Sequence, residues 1–564
     1  MALNSDMRSL FFILLLSWPA VARLQTAPHT FWVRFTDKSG TPYSLSEPLE
    51  FLSQDCIDRR VRQGIGLDSR DLPVNPSYVN GVTAVGNVEL HHRSKWFNAI
   101  TVRIIDTLLE TTTLESIQAL PFVSEIKSVS RSRSPLHMDK FEVQADERSL
   151  LGEESEAAYG PSFRQISMIN GHLLHEMGYT GAGRRIAVFD AGWVRTDILP
   201  AFSHLYESGR IAGTRDFVTP DADSVYFKSA HGTYVLSHMA GIIPDSLLGT
   251  APDATYYLFR TEDVNGEYLI EEDNWVAAAE YADSLGIEII NSSLGYSRFD
   301  DPVMDHEYED MDGETTRSSI AADIASEKGI LVINSAGNSG AGTWRYITAP
   351  SDGDLVMSVG AVDADSLRAF FSSYGPSSDG DVKPNVMAMG RQTVFADLDS
   401  TIRTGNGTSF SAPIITGLAA CLWQAFPYRT AREIFRAIQQ SAHLCSNPND
   451  SLGHGLPDFK QAYLMLRGEQ FEMEGPFSAQ VFPNPTRGGL TISLTTPDDL
   501  PVDIEIADMS GRIVRRINNF GNSQLGLYLQ GWIDLSELSG GLYLLTLRNA
   551  NTSQTIRIQK ITTD

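Results

Sequence analysis

The 564-residue chain is too long for one ordinary hydrophobic core, and its 42% apolar residues give it the composition of a globular protein of two to four domains. A formal charge of −26 argues against a nucleic-acid partner, because a phosphate-binding surface needs clustered Lys and Arg that this chain does not show. Three cysteines, Cys56, Cys421 and Cys445, cannot build a disulfide framework and match no zinc-ligand spacing; a Cys421–Cys445 pair is left open.

Residues 1–22 carry Arg8, an apolar run from Leu10 to Trp18 and then Ala20-Val21-Ala22, the layout of a cleaved secretory signal. The run is too short for a stable membrane span and no later stretch is long enough. From about Thr30 the pattern is mixed: Phe31, Val33 and Phe35 alternate as in a strand, the stretch 99–105 does likewise, and Leu114, Ile117 and Leu120 have helical spacing before Pro121. Residues 23–150 therefore read as a small α+β unit with a linker, the charged stretch from Ser130 to about Glu156 being exposed.

Beyond it, apolar runs at 186–189, 256–259, 287–290, 330–333 and 356–362 look like buried parallel strands. Helical patterns at 275–285 and 318–328 are closed by Gly286 and Gly329. Residues 159–466 thus form an α/β domain, a mostly parallel sheet covered by helices, with its ligand site beyond the carboxyl ends of the strands. After a linker near 468–478, short alternating segments at 490–494, 502–507, 532–535, 542–547 and 555–561 predict a small β-sandwich over 476–564.

Four polar residues fall at such strand and helix ends. Asp190 follows the run 186–189, His231 opens a helical stretch, and Asn338 lies just past the run 330–333. Ser409 follows a Gly-bearing loop and precedes Ile414, Leu418, Cys421 and Leu422, which share one helix face. At a helix N-terminus a serine oxygen has unpaired N–H groups and the positive dipole end beside it, which stabilise negative charge. The same place suits an ordinary N-cap. Singly, Asp190 reads equally as a turn residue, His231 as a helix-start polar group and Asn338 as a loop residue. Together they supply acyl transfer: a nucleophile, a base, a carboxylate to orient the base and an amide to bind an oxyanion.

The chain order Asp190, His231, Ser409 and the segments Ile186-Ala-Val-Phe-Asp-Ala-Gly192, His231-Gly-Thr-Tyr-Val235, Asn334-Ser-Ala-Gly-Asn338 and Gly407-Thr-Ser-Phe-Ser-Ala-Pro413 resemble the subtilisin-like serine peptidases, or subtilases. The resemblance implies Asp190, His231 and Ser409 as the triad, with the Asn338 side chain and the Ser409 N–H as the oxyanion hole. It implies that Ser293, Leu294 and Gly295, with Ser335, Ala336 and Gly337, are backbone edges that hold an extended substrate and flank the primary specificity pocket. The implied function is a secreted serine endopeptidase working through an acyl-enzyme, with no cofactor required for the chemistry, no metal among the site residues, and room for a structural calcium ion elsewhere.

The N-terminal unit resembles a subtilase propeptide, most clearly in 114–129; an accessory domain kept in the mature protein is the other reading. The segment with Val481-Phe-Pro-Asn-Pro485 and Leu538-Ser-Gly-Gly-Leu-Tyr543 resembles the sorting domain read by the type IX secretion system of certain diderm bacteria, against a carbohydrate- or protein-binding sandwich. Polypeptide substrates, the chain's own propeptide and the secretion machinery are the implied partners, and the location is secreted or cell-surface, reached through the periplasm. A surface binding protein that keeps the shape without activity is the competing class; it would be free to lose catalytic residues, and all four are present.

Three departures stand out. Ala191 occupies a place usually held by Ser or Thr, Leu236-Ser237-His238 replaces a run of small residues, and Met389-Gly390 stands where Pro-Gly is common. His238, two turns below His231, is too distant to share a metal ion with it and is expected to be packed or at the surface. Asp300, Asp301, Asp305, Glu307, Glu309, Asp310, Asp312 and Glu314 crowd one loop without EF-hand spacing and predict a solvated acidic loop beside the substrate groove.

Overall fold

A computed structural model describes residues 29–130, 158–467 except 221 and 223, and 478–561 except 483, 496–501, 521–527 and 551. The expected signal at 1–22 and nearly all of both expected linkers lie outside the described residues.

The central sheet has seven strands in the order Val386–Met389, Met357–Val362, Leu331–Ser335, Ile289–Ser292, Arg185–Asp190, Thr255–Arg260, Ile211–Asp216, each parallel to its neighbour. In sequence these strands are unbroken apolar runs because both faces are buried. The two-residue period sends Ile186, Val188, Ile289, Leu331 and Ile333 into one core and Ala187, Phe189, Ile290 and Val332 into another. Helices His231–Ala240 and Thr408–Ala425 close the first core; Ile270–Leu285 and Arg317–Glu327 close the second. Each Leu or Ile so buried contributes roughly 1.5–3 kcal/mol, and the two layers hold the strand ends in fixed register.

The N-terminal unit is a four-stranded antiparallel sheet in the order Val88–Ser94, Ala99–Ile104, Thr30–Phe35, Val123–Ser130, with helices Gln54–Gln63, Pro76–Thr83 and Glu110–Gln118. It docks on the outer helices of the second core, and the contact is unusually charged. Asp283, fully buried on helix Ile270–Leu285, pairs with Arg59 at 2.6 Å, Arg60 at 2.8 Å and Lys95 at 3.0 Å. Burial alone would raise its pKa, but Lys95, Arg59 and Arg60 outweigh that and hold the carboxyl well below the usual carboxylate range. Glu280, one turn earlier, accepts from Ser94 Oγ and from the N–H groups of Lys95 and Trp96. Gly286 ends the helix at φ 75°, and a Cβ there would lie 2.5 Å from the Asp55 and Cys56 backbone. Only glycine satisfies both the left-handed turn and this close approach.

The C-terminal region forms two antiparallel sheets, Ser478–Phe482, Gly489–Thr495 and Tyr528–Asp534 in one and Ile513–Phe520, Val502–Asp508, Gly541–Arg548 and Ser553–Lys560 in the other. Leu490, Ile492, Leu494, Ile504, Ile506 and Leu545 fill the space between them. The alternating pattern predicts this sandwich but misses the strands Ser478–Phe482 and Ile513–Phe520. All three cysteines are free, Cys56 and Cys421 buried and Cys445 exposed.

Candidate active site

Asp190 ends the central strand Arg185–Asp190 and is fully buried. The Ala191 N–H donates to its Oδ1 at 2.7 Å, so the backbone serves the position where a hydroxyl is missing. His231 is the first residue of helix His231–Ala240; its N–H donates to Ser229 Oγ at 3.1 Å, and its Nδ1 stands 2.9 Å from both Asp190 oxygens. A carboxylate only accepts, so this contact places the ring proton on Nδ1 and leaves Nε2 as the acceptor.

Ser409 is the second residue of helix Thr408–Ala425, whose N-cap is Gly407, so the N-cap reading of Ser409 fails. Its hydroxyl donates to the Ser293 carbonyl at 3.3 Å, and the Ser293 hydroxyl donates back to the Ser409 carbonyl at 3.1 Å. Pro413 explains the second bond. The Ser409 carbonyl would ordinarily accept from the residue four positions on, and proline has no N–H to give. Asn291 Nδ2 in turn donates to Ser293 Oγ at 3.3 Å, and Thr416 Oγ1 to Asn291 Oδ1 at 2.9 Å, so strand and helix are bolted together beneath the serine.

Asn338 follows strand Leu331–Ser335. Its Oδ1 accepts from the Thr408 N–H at 2.8 Å and from Thr408 Oγ1 at 2.9 Å, which commits the carbonyl end of the amide to Thr408. The Nδ2 end then faces Gly407, 3.7 Å from the position a Cβ would take there. Thr408, beside Ser409 in sequence, thereby orients the amide, a role that its neighbourhood alone does not signal.

His231, Ser409, Asn338, Ser293, Leu294, Gly295, Ser335 and Gly337 line one cleft of about 220 Å³. Asp190 lies behind His231, and Ala336, fully buried, does not reach the cleft. Asn334 Nδ2 ties the walls together by donating to the Leu294 carbonyl at 3.0 Å. Thr348, Glu262 and Glu267 also line the cleft and were not anticipated. Carboxyl oxygens of Glu262, Glu267 and Glu271 lie within 4.8 Å of one another, as do those of Asp354, Asp379 and Asp381. The acidic loop at 300–314 contributes nothing to the cleft lining. Several of its carboxylates serve local turns, Asp301 accepting from the Val303 N–H, Asp305 from Phe299, and Asp312 from Glu314 and Thr315, while Asp300 accepts from the N–H of the cleft residue Glu267 at 3.3 Å, so the loop lies beside the cleft. His238 is packed, stacked on Phe410 with ring centroids 4.8 Å apart and Nδ1 on the Tyr234 carbonyl, and burial pushes its pKa down to about 4.

The parallel sheet, its two helical layers and this cleft at the strand ends define an α/β architecture of the subtilisin type. Residues 181–463 match the subtilase family, and the chain belongs to it. Residues 30–143 match the peptidase S8 propeptide domain of Bacteroidota, and residues 480–561 match the secretion system C-terminal sorting domain. The thermostable alkaline protease of Halalkalibacterium halodurans is 31% identical over 298 residues, spanning 52% of this chain and 70% of that one. Subtilisin DY of Bacillus licheniformis is 28% identical over 292 residues, 51% of this chain and 93% of that one. Subtilisin E of Bacillus subtilis is 28% identical over 285 residues, 50% of this chain and 66% of that one. The chain is a serine-type endopeptidase, and its sorting domain marks it as secreted or cell-surface. No helix among the described residues is long and apolar enough to cross a membrane.

Proposed function

We propose that the chain hydrolyses peptide bonds with Ser409 as nucleophile, His231 as general base and then acid, and Asp190 as the group that orients and charge-balances His231. Ser409 Oγ adds to the scissile carbonyl as its proton passes to His231 Nε2. The carbonyl oxygen becomes an oxyanion, held by Asn338 Nδ2 and the Ser409 N–H at the positive end of its helix. Collapse of the adduct expels the amine, which takes the proton from His231, and leaves an acyl-serine. Water, deprotonated by His231, then releases the acid and restores the hydroxyl.

The observation that carries this reading is the His231–Asp190 bond at 2.9 Å, with His231, Ser409 and the anchored Asn338 amide around one cleft. The edges at Ser293–Gly295 and Ser335–Gly337 would pair with an extended substrate backbone. Every step uses the chain's own groups; a structural calcium ion would find oxygen ligands at the two carboxylate groupings, of which Glu262, Glu267 and Glu271 border the cleft and Asp354, Asp379 and Asp381 do not. The chain divides as signal 1–22, propeptide unit 23–150, catalytic domain 159–466 and sorting sandwich 476–564, and is exported through the periplasm. A serine-directed fluorophosphonate should label Ser409, and Ser409→Ala should abolish labelling and hydrolysis while leaving the fold intact, because the hydroxyl is small. Hydrolysis that persists in Ser409→Ala would overturn the assignment.

A further inference from the structure

Ser293 grips Ser409 at two points, its carbonyl accepting the Ser409 hydroxyl at 3.3 Å and its hydroxyl donating to the Ser409 carbonyl at 3.1 Å. The helix cannot serve that carbonyl itself, because Pro413 stands where the N–H donor would be. Behind Ser293 the donors run in one direction. A hydroxyl has one proton and a carbonyl only accepts, so the Ser293 proton points at Ser409 and its oxygen is left to accept from Asn291 Nδ2 at 3.3 Å. The far end of that amide, Oδ1, accepts from Thr416 Oγ1 at 2.9 Å, in competition with the Ala412 carbonyl 3.0 Å from the same hydroxyl. Thr416 lies about two turns beyond Ser409 on the same helix, and Asn291 is on strand Ile289–Ser292. The path therefore leaves the helix, crosses the strand end and returns to the first helical turn. Thr416 and Asn291 are fully buried and Ser293 nearly so, so a broken link has no bulk water to replace it.

The geometry points to Thr416, Asn291 and Ser293 as a positioning chain for the nucleophile, one whose side-chain groups are spent on one another and on the Ser409 carbonyl. It fixes the height and rotation of the first helical turn against the strand end. With them it fixes the direction of the Ser409 hydroxyl toward His231 and of the Ser409 N–H toward the oxyanion, where small displacements are costly in rate. Ser293 would meet an extended substrate through its backbone, so the duty of its side chain falls on kcat and not on KM. This rests on Ser409 being the nucleophile.

The test uses the mature enzyme and one peptide substrate, with a fluorophosphonate run to completion to count competent sites, so that kcat is taken per labelled enzyme. Ser293→Ala should lower kcat by about five- to tenfold, the worth of one hydrogen bond, with KM little changed. Thr416→Val, of equal shape and remote from the cleft, should lower kcat by about three- to tenfold with the same KM signature. The double variant should lose about what Ser293→Ala loses alone, because Thr416 reaches Ser409 only through Ser293. The rate of labelling, which needs an aligned Ser409 but no peptide, should fall in step with kcat. A wild-type kcat in Thr416→Val overturns the proposal. So does a raised KM with unchanged kcat in Ser293→Ala, which would make that side chain a binding group, and so do losses that multiply in the double variant. If Ser293→Ala yields no labelled sites, Thr416→Val decides alone. A wild-type enzyme that is not labelled at Ser409 overturns instead the assignment of the nucleophile.

Discussion

Removing the Asp283 carboxylate should loosen the N-terminal unit far more than removing any one of the cations around it. In Asp283→Ala, Arg60 retains Asp71 at 2.8 Å and Lys95 retains Ser284 Oγ at 3.1 Å. Arg59, fully buried, keeps only the Ile287 carbonyl and Cys56 Sγ among the described residues. One cation is thereby buried without a counter-charge, a situation that costs about 3–5 kcal/mol, or two to nearly four orders of magnitude in the docking equilibrium. Arg59→Met leaves Asp283 with Arg60 and Lys95 and strands no charge, so it should cost about tenfold or less. Both are measured in a Ser409→Ala chain, which cannot process itself, as amide hydrogen exchange of helix Gln54–Gln63. Equal effects of the two substitutions, or less than a tenfold acceleration in Asp283→Ala, would refute the reasoning.

Asn338→Leu should lower kcat by ~10²–10³ with KM little changed, since its amide serves the oxyanion more than the ground state; that magnitude is the one known for the same substitution type in subtilisin. Thr408→Val, which keeps the N–H bond to Asn338 but loses the hydroxyl bond, should lower kcat by about tenfold with the same KM signature. Docking of the N-terminal unit should also weaken in acid. Burial, with His91 and Arg215 nearby, lowers the His92 pKa to about 3 against the opposing hydrogen bonds to Asn274 and Phe217, whereas the undocked ring titrates near the ordinary ~6.5. The undocked form thus binds the extra proton: stability is complete above that ordinary value and falls as pH drops toward 3, by about tenfold per unit. Exchange of the Ala99–Ile104 amides in the Ser409→Ala chain reads this, and His92→Gln should remove one proton from the slope; an unchanged slope would count against it.

The parallel strands and the four polar positions were legible because each strand is buried on both faces and the polar residues sit just past apolar runs or at helix starts. Asp190, His231 and Ser409 announce themselves by position and order. Thr408 does not, since its hold on the Asn338 amide arises only when the 331–335 strand end is folded against the helix. The helices Gln54–Gln63 and Pro76–Thr83 were missed for a related reason. Arg59 and Arg60 break the apolar face that periodicity needs, and their burial makes sense only beside Asp283, more than two hundred positions away. The acidic loop stands beside the cleft, with Asp300 bonded to Glu267, but the use of Asp301, Asp305 and Asp312 in local turns is something composition cannot reveal.

The charged contact under the N-terminal unit bears on what remains once a propeptide of this kind departs. Two apolar faces pulled apart would leave a sticky surface on each half, prone to clump or to trap the wrong partner. Here the catalytic part would be left with Asp273, Glu280 and Asp283 along one helix, groups that water solvates readily, beside the smaller apolar patch at Leu269 and Ile270 that Trp32, Ala99 and Val129 cover. The freed surface would add to a chain already strongly negative, so separation yields two wettable bodies, and the same carboxylates that hold the unit in place become a coat that keeps the enzyme dispersed outside the cell.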